Sequence, residues 1–481
     1  MILKELIRSL PVEIKGSQSV EIKSLTADSR LCLPGSLFFA KKGTLLDGTA
    51  YIPQAIENGA VAIVVDLYNP FLGLISQIIH PHPEELEPLL AARFYKNPSR
   101  ELFVFGVTGT NGKTTTAYLA KQLLDYLGIA SGLLSTVETV IGERRRSSSL
   151  TTHDVITNQK YLWEMREMNQ RAVALEVSSH GLSQYRVDEI DFDVALFTNL
   201  TPDHLDYHAT IEEYALAKKR LFHLLERSKK KHKCAIVNAD DSRSKQLLEG
   251  IDVPSLSFGL GSGADLFADE IETTVFGTTF RVHHRDLSAL FQTSMIGDFN
   301  VSNLLGTIAL GTHLGSSLDA MVPFVKAVHG APGRLERVAE GRSFFVDYAH
   351  TEDALDQVLR TLRKITRGRL IVVFGAGGGR DKGRRSGLAR AAEHSADFSI
   401  VTSDNPRQED PEEIIRQILE GFSSLSAVRV EIDRRKAIQQ AVLLAQPDDL
   451  VLIAGKGHEY VQIFSHGTVP FDDRAVVREF L

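Results

Sequence analysis

The stretch LFVFGVTGTNGKTTTAYLAKQLLDYLG, residues 102–128, constrains this chain more than any other. An apolar run comes first, then a Gly/Thr-rich turn. Leu119, Leu123 and Leu127 follow at helical spacing, and Gly128 supplies a stop. A run such as LFVFGV is suited to a strand buried on both faces, which belongs in a parallel sheet. The turn reads G-x-x-G-K-T over residues 109–114. The strict phosphate-loop spacing asks for a glycine five residues before Gly112. Val107 stands there instead, and the glycine is displaced to Gly106. The remaining groups suit phosphate. Glycines let backbone N–H groups close around an anion, and a helix N-terminus adds positive potential. Lys113 supplies a point charge, and the Thr114 hydroxyl is a donor for Mg2+. The alternative is a turn that only starts a helix. The strand before it, the Lys-Thr pair and the apolar helical stripe all favour the nucleotide reading.

The same alternation of apolar strand and helix recurs along the chain. RAVALEV (171–177) and DVALFTNL (193–200) are further buried-strand candidates. Before them, LFFAKKG (37–43) and AVAIVVD (60–66) are strand-like, and YIPQAIENG (51–59) reads as a helix ending at Gly59. After VHGAPGRLE (328–336) the pattern restarts with SFFVDYAH, RLIVVFGAG, FSIVTSD and DLVLIAGKG, separated by helices such as PEEIIRQILEGF. The expected class is α/β with parallel sheets. At 481 residues, about three domains are expected.

Net charge is −7, which argues against broad attraction to nucleic acid or anionic membrane. Two distant cysteines, Cys32 and Cys234, build neither a disulfide framework nor a cysteine metal cluster. There is no signal-peptide-like start and no apolar run near 18 residues. A cytoplasmic protein, expected as a monomer with no membrane or nucleic-acid partner, follows. The basic RSKKKHK (227–233) reads as a solvated surface stretch.

Several polar stretches sit just beyond these strands, where ligands of open α/β sheets bind. Glu176 ends RAVALE and is either a metal ligand or an exposed acid. TPDHLDYH gathers Asp203, His204, Asp206 and His208 in one loop; a divalent-ion cluster and a hydrogen-bonded capping loop are both open there. EVSSHG sets serine beside histidine, but neighbours in sequence do not make a triad, and G-x-S-x-G is missing. In the last third, Arg380 and Arg407 are suited to grip a carboxylate bidentately, and Asp404 and Glu459 to hold an ammonium. DYAH (347–350), GGGRDKGRR (377–385), SDNPR (403–407) and GKGHE (455–459), which follow the last apolar strands, are each also ordinary turn chemistry. Four of them on one sheet edge favour a zwitterionic amino-acid site.

Taken together, GVTGTNGKTTT, LEVSSHGL, TNLTPDHLDYH, GDFNVSN, PGRLERV, DYAH, SDNPR and AGKGHE resemble, in order, the segments of the Mur ligase family, the ATP-dependent amino-acid-adding enzymes of peptidoglycan synthesis. The resemblance covers essentially the whole chain and implies three domains. Residues 1–100 would hold the UDP part of the substrate, 101–331 would bind ATP, and the Rossmann-like 332–481 would bring the amino acid. It implies ATP contacts at Gly109, Thr110, Asn111, Gly112, Lys113, Thr114, Thr115, Asn300, Asn303 and Arg334. Thr114, Glu176, His204 and Lys218 would be associated with Mg2+, Lys218 as a carbamate, although its place in EEYALAKKRLF otherwise reads as exposed. Lys113, Glu176, His204 and Lys218 make the implied catalytic set. Ser29, Thr151, Thr152, Ser178, Gln184 and Arg186 would bind the UDP-N-acetylmuramoyl dipeptide. Arg380, Asp404, Asn405, Pro406, Arg407, Gly455 and Glu459 would bind meso-diaminopimelate.

The implied reaction phosphorylates the D-glutamyl γ-carboxylate and then joins the amino acid to it. A lysine-adding member, a folate polyglutamate ligase and a non-catalytic nucleotide switch are the alternatives. The Arg407 fork favours diaminopimelate, since a lysine substrate would leave that guanidinium without its carboxylate. The chain departs from the family's usual pattern at Glu352 and His153, where proline is common, and at Ala209, where glycine is usual.

Overall fold

The computed structural model describes residues 1–42, 47–339 and 341–481, with the side chains of 205 and 206 also outside the description. The chain divides into two compact units: Met1–Lys113 with Ala120–Ser257, and Thr114–Leu119 with Phe258–Leu481.

The first unit carries two sheets. In the N-terminal one, Ser24–Thr26, Ser36–Phe39, Ala60–Val65 and Ser76–Ile79 run parallel, with Glu13–Lys15 antiparallel at the edge. The LFFAKKG strand stops at Phe39, and Gly43 at its end lies outside the described residues. The expected helix is Ile52–Glu57, closed by Gly59 at φ 103°. The core of this sheet also takes in Val155 and Ile156 from the helix Val155–Glu167.

In the second sheet of this unit, Phe103–Thr108 lies between Val194–Phe197 and Ala172–Glu176, all parallel. Ser131–Leu134 extends the parallel set on one side and Cys234–Asn238 on the other. An antiparallel hairpin, Glu138–Ile141 and Arg144–Ser147, forms one edge. Val104, Phe105 and Val107 have no exposure, as a strand covered on both faces requires. Register brings strand ends level: Glu176 lies beside Val107, and Phe197 beside Thr108. The turn after Thr108 therefore opens where the chain leaves the sheet between two neighbours.

The second unit begins with an antiparallel meander, Leu266–Thr274, Gly277–His284 and Leu287–Thr293. The helices Asp298–His313 and Leu318–Ala327 follow. Its C-terminal sheet runs Glu336–Arg337, Ser343–Asp347, Leu450–Ala454, Leu370–Phe374, Phe398–Val401, Val428–Val430, parallel except for the first. Alternate residues of these strands feed two cores. Phe345, Val372 and Leu452 join the helices Glu352–Ile365, Gly383–Ser395 and Pro411–Leu419. Val346, Val373 and Ile453 join Arg434–Leu444 and Asp473–Phe480. Helices on both faces of a parallel sheet make a doubly wound layer, whose ligand crevice lies beyond the carboxyl ends of the strands. No described helix is long and apolar enough to cross a membrane.

Candidate active site

The Gly/Thr-rich turn is held by backbone geometry and by its neighbour strand. Gly109 adopts φ 149°, and a Cβ there would lie 1.8 Å from Thr198 Oγ1. Gly112, at φ 84°, caps the helix Lys113–Tyr126. Both conformations disfavour any other residue. The segment after Val194–Phe197 braces the turn from the side. Thr110 N donates to Asn199 O at 2.8 Å, Asn111 N donates to Asn199 Oδ1 at 2.9 Å, and Thr198 Oγ1 donates to Asn111 O at 2.7 Å. Gly106 has a different reason to be glycine. It sits within the strand, where a Cβ would meet the Phe192 ring at 2.6 Å. The displaced glycine is a packing glycine.

Two amines converge on this turn. Lys113 Nζ donates to Gly109 O at 3.0 Å and Thr110 O at 2.8 Å. Lys218 Nζ donates to the same Gly109 O at 2.7 Å and lies 4.1 Å from the centre of the Tyr214 ring. Lys218 is 1% exposed, which corrects the surface position that its polar surroundings in sequence imply. The helix Ile211–Arg227 turns it inward together with Tyr214, Leu221 and Phe222. Burial, reinforced by the charge of Lys113, holds its pKa well below the ordinary lysine value, so the neutral amine is favoured.

Glu176 is 1% exposed, not a solvated strand-end acid. Its Oε2 accepts from Thr136 N at 2.9 Å and its Oε1 from Thr136 Oγ1 at 3.0 Å. Thr136 Oγ1 lies 3.0 Å from Thr151 Oγ1. Thr152 Oγ1 donates to Glu176 O at 3.0 Å and accepts from Ser178 N at 2.9 Å. Arg186 donates to Thr152 O at 2.7 Å and to Gln184 Oε1 at 2.6 Å and 3.1 Å. Five of the six residues implied for the dipeptide thus form one hydrogen-bonded group around the end of Ala172–Glu176. The sixth, Ser29, belongs to the N-terminal sheet, where it donates to Gln54 Oε1 at 2.7 Å. Ser178 Oγ accepts from Gly181 N at 3.0 Å as a helix cap, the ordinary reason for a serine there.

The TPDHLDYH loop sets His204 just before a short helix. Among the described residues, no group of three or more His, Cys, Asp or Glu is placed to hold a metal ion. Leu205–His208 is a short helix, and the Asp206 side chain lies outside the described residues. The histidines spend their ring faces on aromatic neighbours. His180 lies 4.8 Å from His204 and 4.2 Å from Tyr207, and His208 lies 5.2 Å from Tyr214.

In the second unit, Asn300 and Asn303 are buried on the first turns of Asp298–His313, and Asn303 Oδ1 accepts from Thr116 Oγ1 at 3.3 Å. Arg334 stacks 4.4 Å from the Tyr348 ring centre and reaches Thr114 Oγ1 at 3.5 Å. Thr114 and Thr115 are both buried on their helix.

A second cluster forms at the C-terminal sheet edge. The Asp404–Arg407 turn follows Phe398–Val401, and Gly455 to Glu459 follows Leu450–Ala454. A Cβ on Gly455, at φ 111°, would lie 2.6 Å from Asp404 Oδ2, so glycine lets the two segments touch. Asn405 Nδ2 donates to Glu459 Oε2 at 2.7 Å. Arg407 takes φ 54°, donates its N–H to Ile463 O at 3.0 Å, and reaches Gly378 O through Nη1 at 2.5 Å. Gly378 also receives Pro406, whose carbonyl would be 1.9 Å from a Cβ there. Arg380, two residues on, is exposed. The arrangement joins the Asp404–Arg407 turn to the segments around Gly378 and Glu459–Ile463.

Family profiles match successive parts of the chain: "Mur ligase family, catalytic domain" over residues 21–102, "Mur ligase middle domain" over 107–311, and "Mur ligase, glutamate ligase domain" over 333–457. The chain belongs to the Mur ligase family. Its relatives include a protein of Chlamydia muridarum named UDP-N-acetylmuramoyl-L-alanyl-D-glutamate–2,6-diaminopimelate ligase, 44% identical over 100% of this chain and 99% of that protein. One of the same name from Syntrophomonas wolfei is 39% identical over 100% and 99%. A solved structure of a ligase so named superposes with a TM-score of 0.72 at 32% identity, covering 100% of this chain and 98% of that one.

The three departures from the Mur ligase pattern have local explanations. Glu352 occupies the first position of Glu352–Ile365, where proline and an acidic side chain both suit a helix start. His153 is buried, lies 3.1 Å from Thr139 Oγ1, and has its pKa lowered by burial. Ala209 sits at φ 55°, a conformation that glycine adopts more readily. Thr136, Tyr214 and Lys456 are the structural partners that sequence reading missed. Lys456 lies inside the quoted GKGHE, but nothing in its composition marks it as buried.

Proposed function

We propose that this Mur ligase joins meso-2,6-diaminopimelate to the γ-carboxylate of the D-glutamyl residue of UDP-N-acetylmuramoyl-L-alanyl-D-glutamate, with ATP as the driving substrate, in peptidoglycan precursor synthesis. The observation that carries the reading is full-length identity of 39–44% with relatives named for that reaction. The corner around Arg407 supports the choice of amino acid. Residues 1–100, 101–331 and 332–481 would serve the UDP moiety, ATP and the amino acid respectively.

In this reading the Gly109–Thr115 turn and its helix N-terminus hold the ATP phosphates, and Lys113 leaves its loop carbonyls for a phosphate oxygen. Arg334 works from its Tyr348 platform, and Asn300 and Asn303 lie on the adenine side. The γ-carboxylate attacks the γ-phosphorus, ADP leaves, and an acyl phosphate forms. The amine of diaminopimelate attacks the acyl carbon and phosphate leaves. The Thr152, Ser178, Gln184 and Arg186 group and Ser29 position the dipeptide. Arg380 and Arg407 grip carboxylates, and Asp404 and Glu459 hold ammonium groups, with Asn405, Pro406 and Gly455 shaping the turn.

Magnesium prefers hard oxygen donors, and the Glu176 carboxylate and Thr114 hydroxyl are of that kind. His204 would add an imidazole nitrogen. Lys218 becomes an oxygen donor only as a carbamate, formed when its neutral amine attacks CO2 and releases a proton. Bound there, magnesium would offset negative charge on the phosphates. The burial of Lys218 and its depressed pKa favour the amine form that this modification requires.

The test incubates the protein with ATP, Mg2+, the UDP-muramoyl dipeptide and either diaminopimelate or lysine, followed by mass spectrometry. The expected product is the diaminopimelate tripeptide with one ADP and one phosphate per turnover. Equal turnover with lysine overturns the choice of amino acid. ATP hydrolysis indifferent to any amino acid overturns the ligase reading.

A further inference from the structure

Lys456 carries an ammonium with 0% side-chain exposure, directly after Gly455 at the end of Leu450–Ala454. A charge so withdrawn from water is tolerated only when its hydrogen bonds are made. Its Nζ has three protons and meets three acceptors: Asn405 Oδ1 at 3.0 Å, Glu459 Oε2 at 2.8 Å and Val461 O at 2.7 Å. Asn405 Oδ1 also accepts from Ile463 N at 3.0 Å, and its Nδ2 donates to Glu459 Oε2 at 2.7 Å. The orientation of the Asn405 amide is therefore dictated, with oxygen toward the ammonium and nitrogen toward the carboxylate. Glu459 has one oxygen committed twice, while Oε1 takes no hydrogen bond from the described residues and the side chain keeps 28% exposure. Gln462 Nε2 donates to Asp404 O at 2.7 Å, so the hairpin Val461–Phe464 with Gly467–Pro470 braces the same turn.

Charge follows the same lines. Lys456 adds a cation to those of Arg380 and Arg407, beside the carboxylates of Asp404 and Glu459. Added positive charge disfavours an amino acid with one carboxylate and two ammonium groups. It suits one with two of each.

We propose that Lys456 is a positioning residue for the amino-acid substrate, one that aims Glu459 and Asn405 at the incoming ammonium and sets the charge by which the corner prefers a dicarboxylate amino acid. This inference rests on the functional reading above. Lys456→Met in the full-length protein, assayed at steady state, tests it. The expected result is a KM for diaminopimelate raised about tenfold. The KM values for ATP and for the UDP-muramoyl dipeptide stay within about twofold, and the preference over lysine narrows about tenfold. Should that variant fail to fold, Lys456→Gln keeps a donor without the charge and is expected to narrow the preference in the same way. A folded variant with unchanged amino-acid KM and preference overturns the proposal. So does an equal rise in all three KM values, which marks a merely structural role. Wild-type protein that does not use diaminopimelate defeats the functional reading instead, and the same KM split is then read on the amino acid it does use.

Discussion

The Gly109–Thr114 turn and the Asp404–Arg407 corner both lie beyond strand ends, and they are built by opposite means. The turn is a contiguous piece of backbone. Its glycines at φ 149° and 84° allow a shape that other residues resist, and a helix N-terminus follows at once. The corner is assembled from segments around 378, 404–407 and 455–463, joined by side-chain hydrogen bonds through Asn405, Lys456 and Gln462. A local device fails when one backbone position changes. A distributed one degrades by steps, and its parts have separable effects on affinity.

Four substitutions break or sharpen that contrast. Gly109→Ala forces a Cβ to 1.8 Å from Thr198 Oγ1 at a φ that alanine resists. Turnover is expected to fall at least about 10²-fold with every substrate, since displacement of about 1 Å at a reacting centre costs that much. A variant with near-normal turnover would show that the turn does not hold the reacting phosphates. Arg407→Ala removes a charged fork from the corner alone. The KM for diaminopimelate is expected to rise about 10- to 100-fold while the KM for ATP stays put. An equal rise in both contradicts the division between the two regions. Gly106→Ala meets the Phe192 ring, so it is expected to destabilise the fold by about 1–3 kcal/mol, read by urea denaturation, and to spare the KM for ATP. If it raises that KM while leaving stability alone, Gly106 belongs to the phosphate loop after all.

The smallest effect is in pH dependence. Burial, with nearby cations, pushes the His458 pKa from 6.5 down to about 3. The imidazole is therefore neutral in the folded chain and takes up a proton on unfolding. Its contribution is unaffected above pH 6.5 and turns destabilising as pH falls through the window from 6.5 toward about 3. His458→Gln is expected to flatten stability against pH there, by a slope approaching about 1.4 kcal/mol per pH unit. Parallel denaturation midpoints for the two proteins between pH 7 and 5 would contradict the buried neutral state.

Legibility followed the same division. The parallel strands at 103–108, 172–176, 194–197 and 450–454 were readable because strands buried on both faces are apolar without interruption. The turn was readable because its glycines, lysine and threonine fall within the six residues 109–114. Glu176 and Lys218 were not readable as buried groups. Their burial depends on Thr136 from a neighbouring strand end and on Tyr214 and the Gly109 carbonyl, all supplied by other parts of the fold. The TPDHLDYH loop was only partly legible, for a related reason. Composition left a ligand loop and a capping loop both open, and the ring contacts around its histidines come from residues far apart in sequence, such as His180 and Tyr214.

By itself the sequence determined the α/β class, the main parallel strands, the Gly/Thr-rich turn between a strand and a helix, and the family to which the chain belongs, because each depends on residues close along the chain. Only the tertiary structure decided that Gly106 serves packing, that Lys218 is a buried amine favouring its neutral form, and that Lys456 ties Asn405 to Glu459. Those outcomes depend on which segments meet at the strand ends and on the cost of leaving a charge there without partners.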